Sequence, residues 1–243
     1  MIIHIPHAST LIPAGDGPDL PPSRLEHEIT VMTDWYCDRL FASAAPRLIF
    51  PVSRLVCDPE RFRDDEREPM SARGMGAVYT RCSDGSPLRR LTPGKREALL
   101  RRYYDPHHAA LARLVEAELE RSGRALIVDG HSFHPVPLPY ETQTARPDFC
   151  IGTDPYHTPR PLARLLLDFF REQGLRAAEN APFAGSIVPL DCWRRDRRVS
   201  SVMIEVNRGL YLSGSREPGP GFRRIRALLG QALALLAQYE AAR

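Results

Sequence analysis

Residues 124–133 read RALIVDGHSF, and the reading of the fold turns on them. Four apolar residues, Ala125 to Val128, run without a break into Asp129, Gly130 and His131. Near-continuous apolar composition is what a strand covered on both faces requires, so the stretch predicts an inner strand of a parallel sheet. It leaves the core at a histidine, with a carboxylate two residues earlier. Open α/β sheets place their chemistry at such strand ends.

The flanking segments fit that sheet. Upstream, residues 92–123 start at a capping Thr92, carry strong helix formers and end at Gly123, while Pro106 in the middle predicts a kink or two consecutive helices. Downstream come expected strands at 148–154 and 175–180, a helix at 159–174, a strand in SVMIEVNR (201–208), and a helix from about Gly221 to the C-terminus. At the other end, MIIHIPH reads as a first strand stopping near His7. A helix follows from Ser23, with Leu25, Ile29, Met32, Tyr36 and Leu40 at helical spacing. RLIFPVSRLVCD (47–58) reads as a strand with a proline inside, and residues 60–79, without a clear period, as a long loop or lid. Alternating strands and helices predict one α/β domain over residues 1–243, a mainly parallel sheet sandwiched by helices.

Composition narrows the function. The 33 basic and 30 acidic residues are spread along the chain, so a net charge of +3 gives no reason to expect nucleic acid or an anionic membrane as partner and leaves small anionic substrates open. Five cysteines without a C-x-x-C pair predict reduced thiols in a cytoplasm. The N-terminus lacks a secretion signal, and no run approaches the roughly 18 apolar residues of a membrane span.

The residues suited to chemistry fall at the strand ends: His7, His131, and Glu205 with Asn207 and Arg208 just beyond it. Two imidazoles and a carboxylate from separate strands suit a catalytic Zn²⁺ site with a position left open. Each histidine alone reads more simply as a hydrogen-bonded structural residue. A carboxylate inside VMIEV must be partnered if buried, and an ion pair from Glu205 to Arg208 or another arginine is the simple solution.

The segments HIPHAS, TDW, SRLVCDPERF, YYDPHH, DGHSF, IGTD, PFAGS and IEVNRGLYL, in this order from His4 to Leu212, resemble the N-formylglutamate amidohydrolase family. That family is similar to the zinc carboxypeptidases and aspartoacylases. The resemblance implies a three-layer α/β/α sandwich, one zinc ion (with Co²⁺ as another divalent option) and a glutamate base. It gives His7 and His131 as metal ligands and Glu205 as the base that activates water. Zinc carboxypeptidases take a further ligand from a glutamate three residues after the first histidine, where Thr10 stands here; Asp34 is the expected substitute, with His27 in reserve. Arg54, Arg61 and Arg208 resemble substrate-side arginines, and His108 also matches a family position. A guanidinium fork suits the carboxylates of an anionic N-acyl amino acid.

The products expected are formate and glutamate, a late step of histidine breakdown. Glu60, standing where the family has an amide, sets an acid beside a carboxylate-binding arginine. Two alternatives stand: a zinc deacylase or peptidase acting on another N-acyl amino acid or small peptide, and a non-catalytic small-molecule binding module. A Ser-His-Asp hydrolase fits poorly, because no Gly-x-Ser-x-Gly elbow is present and Ser132 directly follows its histidine.

Overall fold

The structure, a computed structural model, describes residues 1–139 and 141–242. Its centre is a six-stranded sheet of β1 (Ile2–Ile5), β2 (Arg47–Ile49), β3 (Ala125–Phe133), β4 (Phe149–Gly152), β5 (Ala177–Glu179) and β6 (Val199–Asn207), in the order β2-β1-β3-β6-β4-β5. β2, β1, β3 and β6 are parallel, β4 runs antiparallel to β6, and β5 is parallel to β4. All nine residues of β3 and all nine of β6 are buried, as the apolar run at 125–128 predicts.

Because side chains alternate across a strand, the sheet has two differently built faces. Ile3, Ile5, Leu126, Val128, Val202, Ile204 and Val206 meet α2 (Cys37–Leu40), α5 (Arg160–Glu172) and α6 (Phe222–Ala241) in the largest hydrophobic core. Gly130 belongs to this side. A Cβ there would lie 2.9 Å from the Phe41 ring and 2.7 Å from Ile5 Cδ1, so only glycine lets that layer close on the strand. On the other face Ile2, Ala125, Ile127 and Val199 pack on Leu111 and Val115 of α4 (Asp105–Ser122). The same alternation carries His4, Asp129, His131, Met203 and Glu205 onto that second face, towards the strand ends. The three-layer α/β/α sandwich is thus present.

Local departures from expectation have physical causes. The helix from Ser23 is interrupted: α1 (Pro22–Met32) stops, and Tyr36 adopts a left-handed φ of 63° before α2 starts. The break at Thr33–Tyr36 is fixed from outside, since the Asp34 N–H donates to the His7 carbonyl at 3.0 Å. Asp34 therefore sits in a helix break, not on a helix. The helix at 92–123 is continuous: α3 (Pro93–Leu99), capped by Thr92, passes through a π-helical stretch at Leu100–Tyr104 into α4. That wider turn absorbs the hydrogen bond Pro106 cannot donate. β2 is only three residues long, and 50–58 is a string of turns. Residues 60–79 are not a free lid, because Met75, Ala77, Val78 and Tyr79 are buried. Arg243, at the end of the helix expected to reach the C-terminus, lies outside the described residues. Among those described, no helix is long and apolar enough to cross a membrane.

Candidate metal and catalytic site

Three side chains converge where β1 and β3 leave the core. His131 Nδ1 lies 3.1 Å from Asp34 Oδ2 and 3.2 Å from His7 Nδ1, and His7 Nδ1 lies 3.6 Å from the same Asp34 oxygen. All three residues are buried. Each imidazole is turned by a carboxylate on its far side: His7 Nε2 donates to Asp58 Oδ1 at 2.9 Å, and His131 Nε2 lies 3.1 Å from Asp129 Oδ1, off the line of a good hydrogen bond. Were each ring to carry its one proton on that far nitrogen, two lone pairs and a carboxylate oxygen would face one another.

That arrangement needs positive charge in its middle. The surroundings already draw it in: burial would lower the His131 pKa, but the charge and contact of Asp129, then Asp34 and Glu60, hold it well above the ordinary imidazole value. Asp34 stays well below the usual carboxylate range, because both histidines outweigh the burial that would raise it. Tetrahedral ligands at about 2.0–2.2 Å from a Zn²⁺ stand about 3.3–3.6 Å apart, close to the spacings found. His7, Asp34 and His131 thus fit a divalent ion, with a carboxylate behind each histidine as metal-binding histidines commonly have.

Arg208 holds Asp34 in place. Its guanidinium donates to Asp34 Oδ1 at 3.1 Å, to the carbonyls of Val31 (2.6 Å) and Ser132 (3.1 Å), and to the Ser132 hydroxyl (3.2 Å). Those four bonds leave little for a ligand. The Ser132 hydroxyl accepts one of them, and no histidine among the described residues hydrogen-bonds it as a base would. Arg54 is similarly engaged, donating to Asp58 Oδ2 at 2.7 Å and to the Tyr79 hydroxyl at 3.1 Å. The Tyr79 hydroxyl closes on the same Asp58 oxygen. Arg61 donates from Nε to the Met75 carbonyl, and its two terminal nitrogens make no hydrogen bond to the described residues.

Glu205 is the opposite case. It pairs in register with His131 across β3 and β6, yet its buried Oε2 has no partner, and Arg208 does not reach it with an ion pair. Burial pushes its carboxyl up to about 8, a rise only partly offset by His131, Arg208 and Arg54. A carboxyl kept unpaired at the edge of a cleft, with its pKa raised from the ordinary range by burial, is suited to taking and giving protons.

Behind this site lies a network that the sequence did not single out. His4, fully buried, donates from Nδ1 to Asp129 at 2.8 Å and contacts His107 Nε2 at 2.8 Å. Burial opposes its charge, but Asp129 and then Glu60 raise it to about 9, while burial and the His4 charge push His107 down to about 2. Glu60 Oε1, 3.3 Å from His4 Nδ1, is therefore offset from within. His4, Glu60 and Asp129 also come close enough to share a cation, with both His4 ring nitrogens hydrogen-bonded, one to Asp129 and one to His107. Asp129 was legible in principle: in a strand, a residue two before His131 shares its face. Asp58 and His4 carried no such signal.

These groups open onto a cleft of about 650 Å³, lined by His7, Asp34, Arg54, Arg61, His108, His131, Glu205 and Arg208 among others. His108, stacked on Tyr104 with ring centres 4.0 Å apart, donates Nε2–H to the Pro59 carbonyl, and burial pushes it down to about 4, so it is neutral. His27 is exposed on α1 and does not line the cleft, which removes it as a ligand. Thr10 is exposed as well.

A family model described as N-formylglutamate amidohydrolase matches residues 1–212. A crystal structure of N-formylglutamate amidohydrolase from Ralstonia eutropha JMP134 superposes with a TM-score of 0.84 at 26% identity, over 99% of this chain and 94% of the other. The structure of a gene product from Agrobacterium tumefaciens has a TM-score of 0.69 at 22% identity, over 98% and 91% of the two chains, and speaks for the fold alone. No curated protein matches the sequence.

Proposed function

The chain belongs to the N-formylglutamate amidohydrolase family, and from that premise we propose that it is a metal-dependent amidohydrolase cleaving N-formyl-L-glutamate to formate and L-glutamate. The observation that carries the reading is the meeting of His7, Asp34 and His131 donor atoms, 3.1 to 3.6 Å apart, beside the unpartnered carboxylate of Glu205. His7, Asp34 and His131 hold the metal, with zinc first and cobalt as an alternative. When bound, such an ion polarises the amide carbonyl and acidifies a water.

The chain's own residues do the rest. Glu205 Oε2 accepts the proton of the attacking water and returns it to the amide nitrogen as the C–N bond breaks, leaving formate and a free amine. Arg208 keeps Asp34 anionic and oriented, and Asp58 and Asp129 do the same for the histidine rings. The free terminal nitrogens of Arg61 take a substrate carboxylate as a fork. Arg73, exposed and also lining the cleft, is placed to meet a second one. Arg54 and Arg208 act on the substrate through the carboxylates they hold. The work is that of one catalytic domain on a small molecule, and five free cysteines support a reducing cytoplasm as its setting.

The test is formate release from N-formyl-L-glutamate with and without a chelator, together with Glu205→Gln and metal analysis of both proteins. The reading expects activity that the chelator abolishes, and that Glu205→Gln lowers by a factor of about 10² to 10⁴ with its metal retained. A fully active Glu205→Gln variant contradicts the assigned base.

A further inference from the structure

The cleft offers more apolar surface than glutamate can use. Arg61 supplies the inner fork and Arg73 stands exposed, since Arg54 and Arg208 are committed to Asp58 and Asp34. Facing the same space is an aromatic wall drawn from distant segments. Phe62 meets Trp193 edge to face at 5.5 Å, with the Arg67 guanidinium over both rings at 4.9 and 5.5 Å. Phe183 meets Phe133 at 5.8 Å, and Leu190 lies 41% exposed.

Phe62, Phe183 and Leu190 pack into none of the hydrophobic cores formed by the described residues, yet all three line the cleft. Apolar and aromatic groups gathered at one cleft are the common lining of a small-molecule site. A volume of about 650 Å³ lies in the range that holds a drug-sized ligand, far larger than formylglutamate.

We propose that the cleft takes, besides glutamate, N-acyl amino acids with a single carboxylate and an apolar side chain: the carboxylate on Arg61, the side chain against Phe62, Phe183 and Trp193. This rests on the hydrolytic reading above. The reaction is the same hydrolysis, with water added across the amide bond to give a carboxylic acid and the apolar amino acid.

The experiment compares kcat/KM of the metal-loaded protein for N-formyl-L-glutamate, N-formyl-L-leucine and N-formyl-L-phenylalanine. Values for the two apolar substrates within tenfold of glutamate's, or above it, are expected. Values more than tenfold below it overturn the proposal. Trp193→Ala should lower the ratio of phenylalanine to glutamate activity about tenfold, as the loss of an apolar wall does; an unchanged ratio counts against the wall. If that variant folds poorly, Leu190→Ala at its exposed site gives the same reading, a lowered ratio supporting the proposal and an unchanged one opposing it. Cleavage of glutamate alone fails the substrate inference, whereas cleavage of none of the three fails the hydrolytic reading and this inference with it.

Discussion

The two histidines of the site are oriented by carboxylates, but the carboxylates are secured in different ways. Asp58, from a turn, is clamped by Arg54, Tyr79, the Glu60 N–H and His7. Its pKa lies well below the ordinary value, because Arg54, His7 and Arg61 overcome burial. Asp129, from the same strand as its histidine, shares one oxygen between His131 and His4 and leaves Oδ2 without a donor. One support rests on a guanidinium that does not titrate in any working range. The other rests on an imidazolium that does.

The largest effect expected from this contrast is on the Asp58 side. Asp58→Ala removes a fully buried carboxylate from the partly buried Arg54 and releases His7 and Tyr79, so it should cost about 3 kcal/mol of stability, read as a lowered urea midpoint. A loss below 1 kcal/mol would break the idea that Asp58 is the firmer support.

Next is the pH dependence of the other side. His4 titrates at about 9 in the folded protein against 6.5 in the unfolded chain. A raised folded pKa means that its stabilisation is fully present below pH 6.5 and lost as pH rises through about 9. The wild type minus His4→Gln stability difference should therefore shrink between these limits by at most about 3 kcal/mol, measured by denaturant titration at several pH values. A difference that stays constant with pH removes the imidazolium from the account.

A smaller effect attaches to Asp129→Asn, which preserves shape but removes the charge behind His131. Zinc affinity, measured by competition with a chromophoric chelator, should fall about 10- to 100-fold, and an unaltered affinity would show that Asp129 does not support a ligand. The smallest effect is at the exposed His27. His27→Ala should change zinc affinity less than twofold and stability by under about 0.5 kcal/mol.

The legibility of the molecule follows the same division. β3 and β6 could be read from the amino-acid sequence because runs such as ALIV and VMI have few alternatives to burial between helices, and the histidine and glutamate at their ends follow from strand register. Asp34 was expected as a ligand from the resemblance, but its setting was not legible, because the helix break depends on a hydrogen bond to His7, 27 positions away. Arg208 was read as a substrate arginine and the structure spends it on Asp34, since its partners are fixed by tertiary contact and not by spacing. The expected ion pair between Glu205 and Arg208 fails for the same reason. The Phe62–Trp193 wall joins segments that share no periodicity.

The central claim is that His7, Asp34 and His131 hold a divalent metal. The most direct measurement is zinc content by elemental analysis, after incubation with Zn²⁺ and exhaustive dialysis, of the wild type and of a His7→Ala variant shown to be folded by circular dichroism. The account predicts about one zinc per wild-type chain and a small fraction of that in the variant. Equal zinc in both proteins, or none in the wild type, would contradict it.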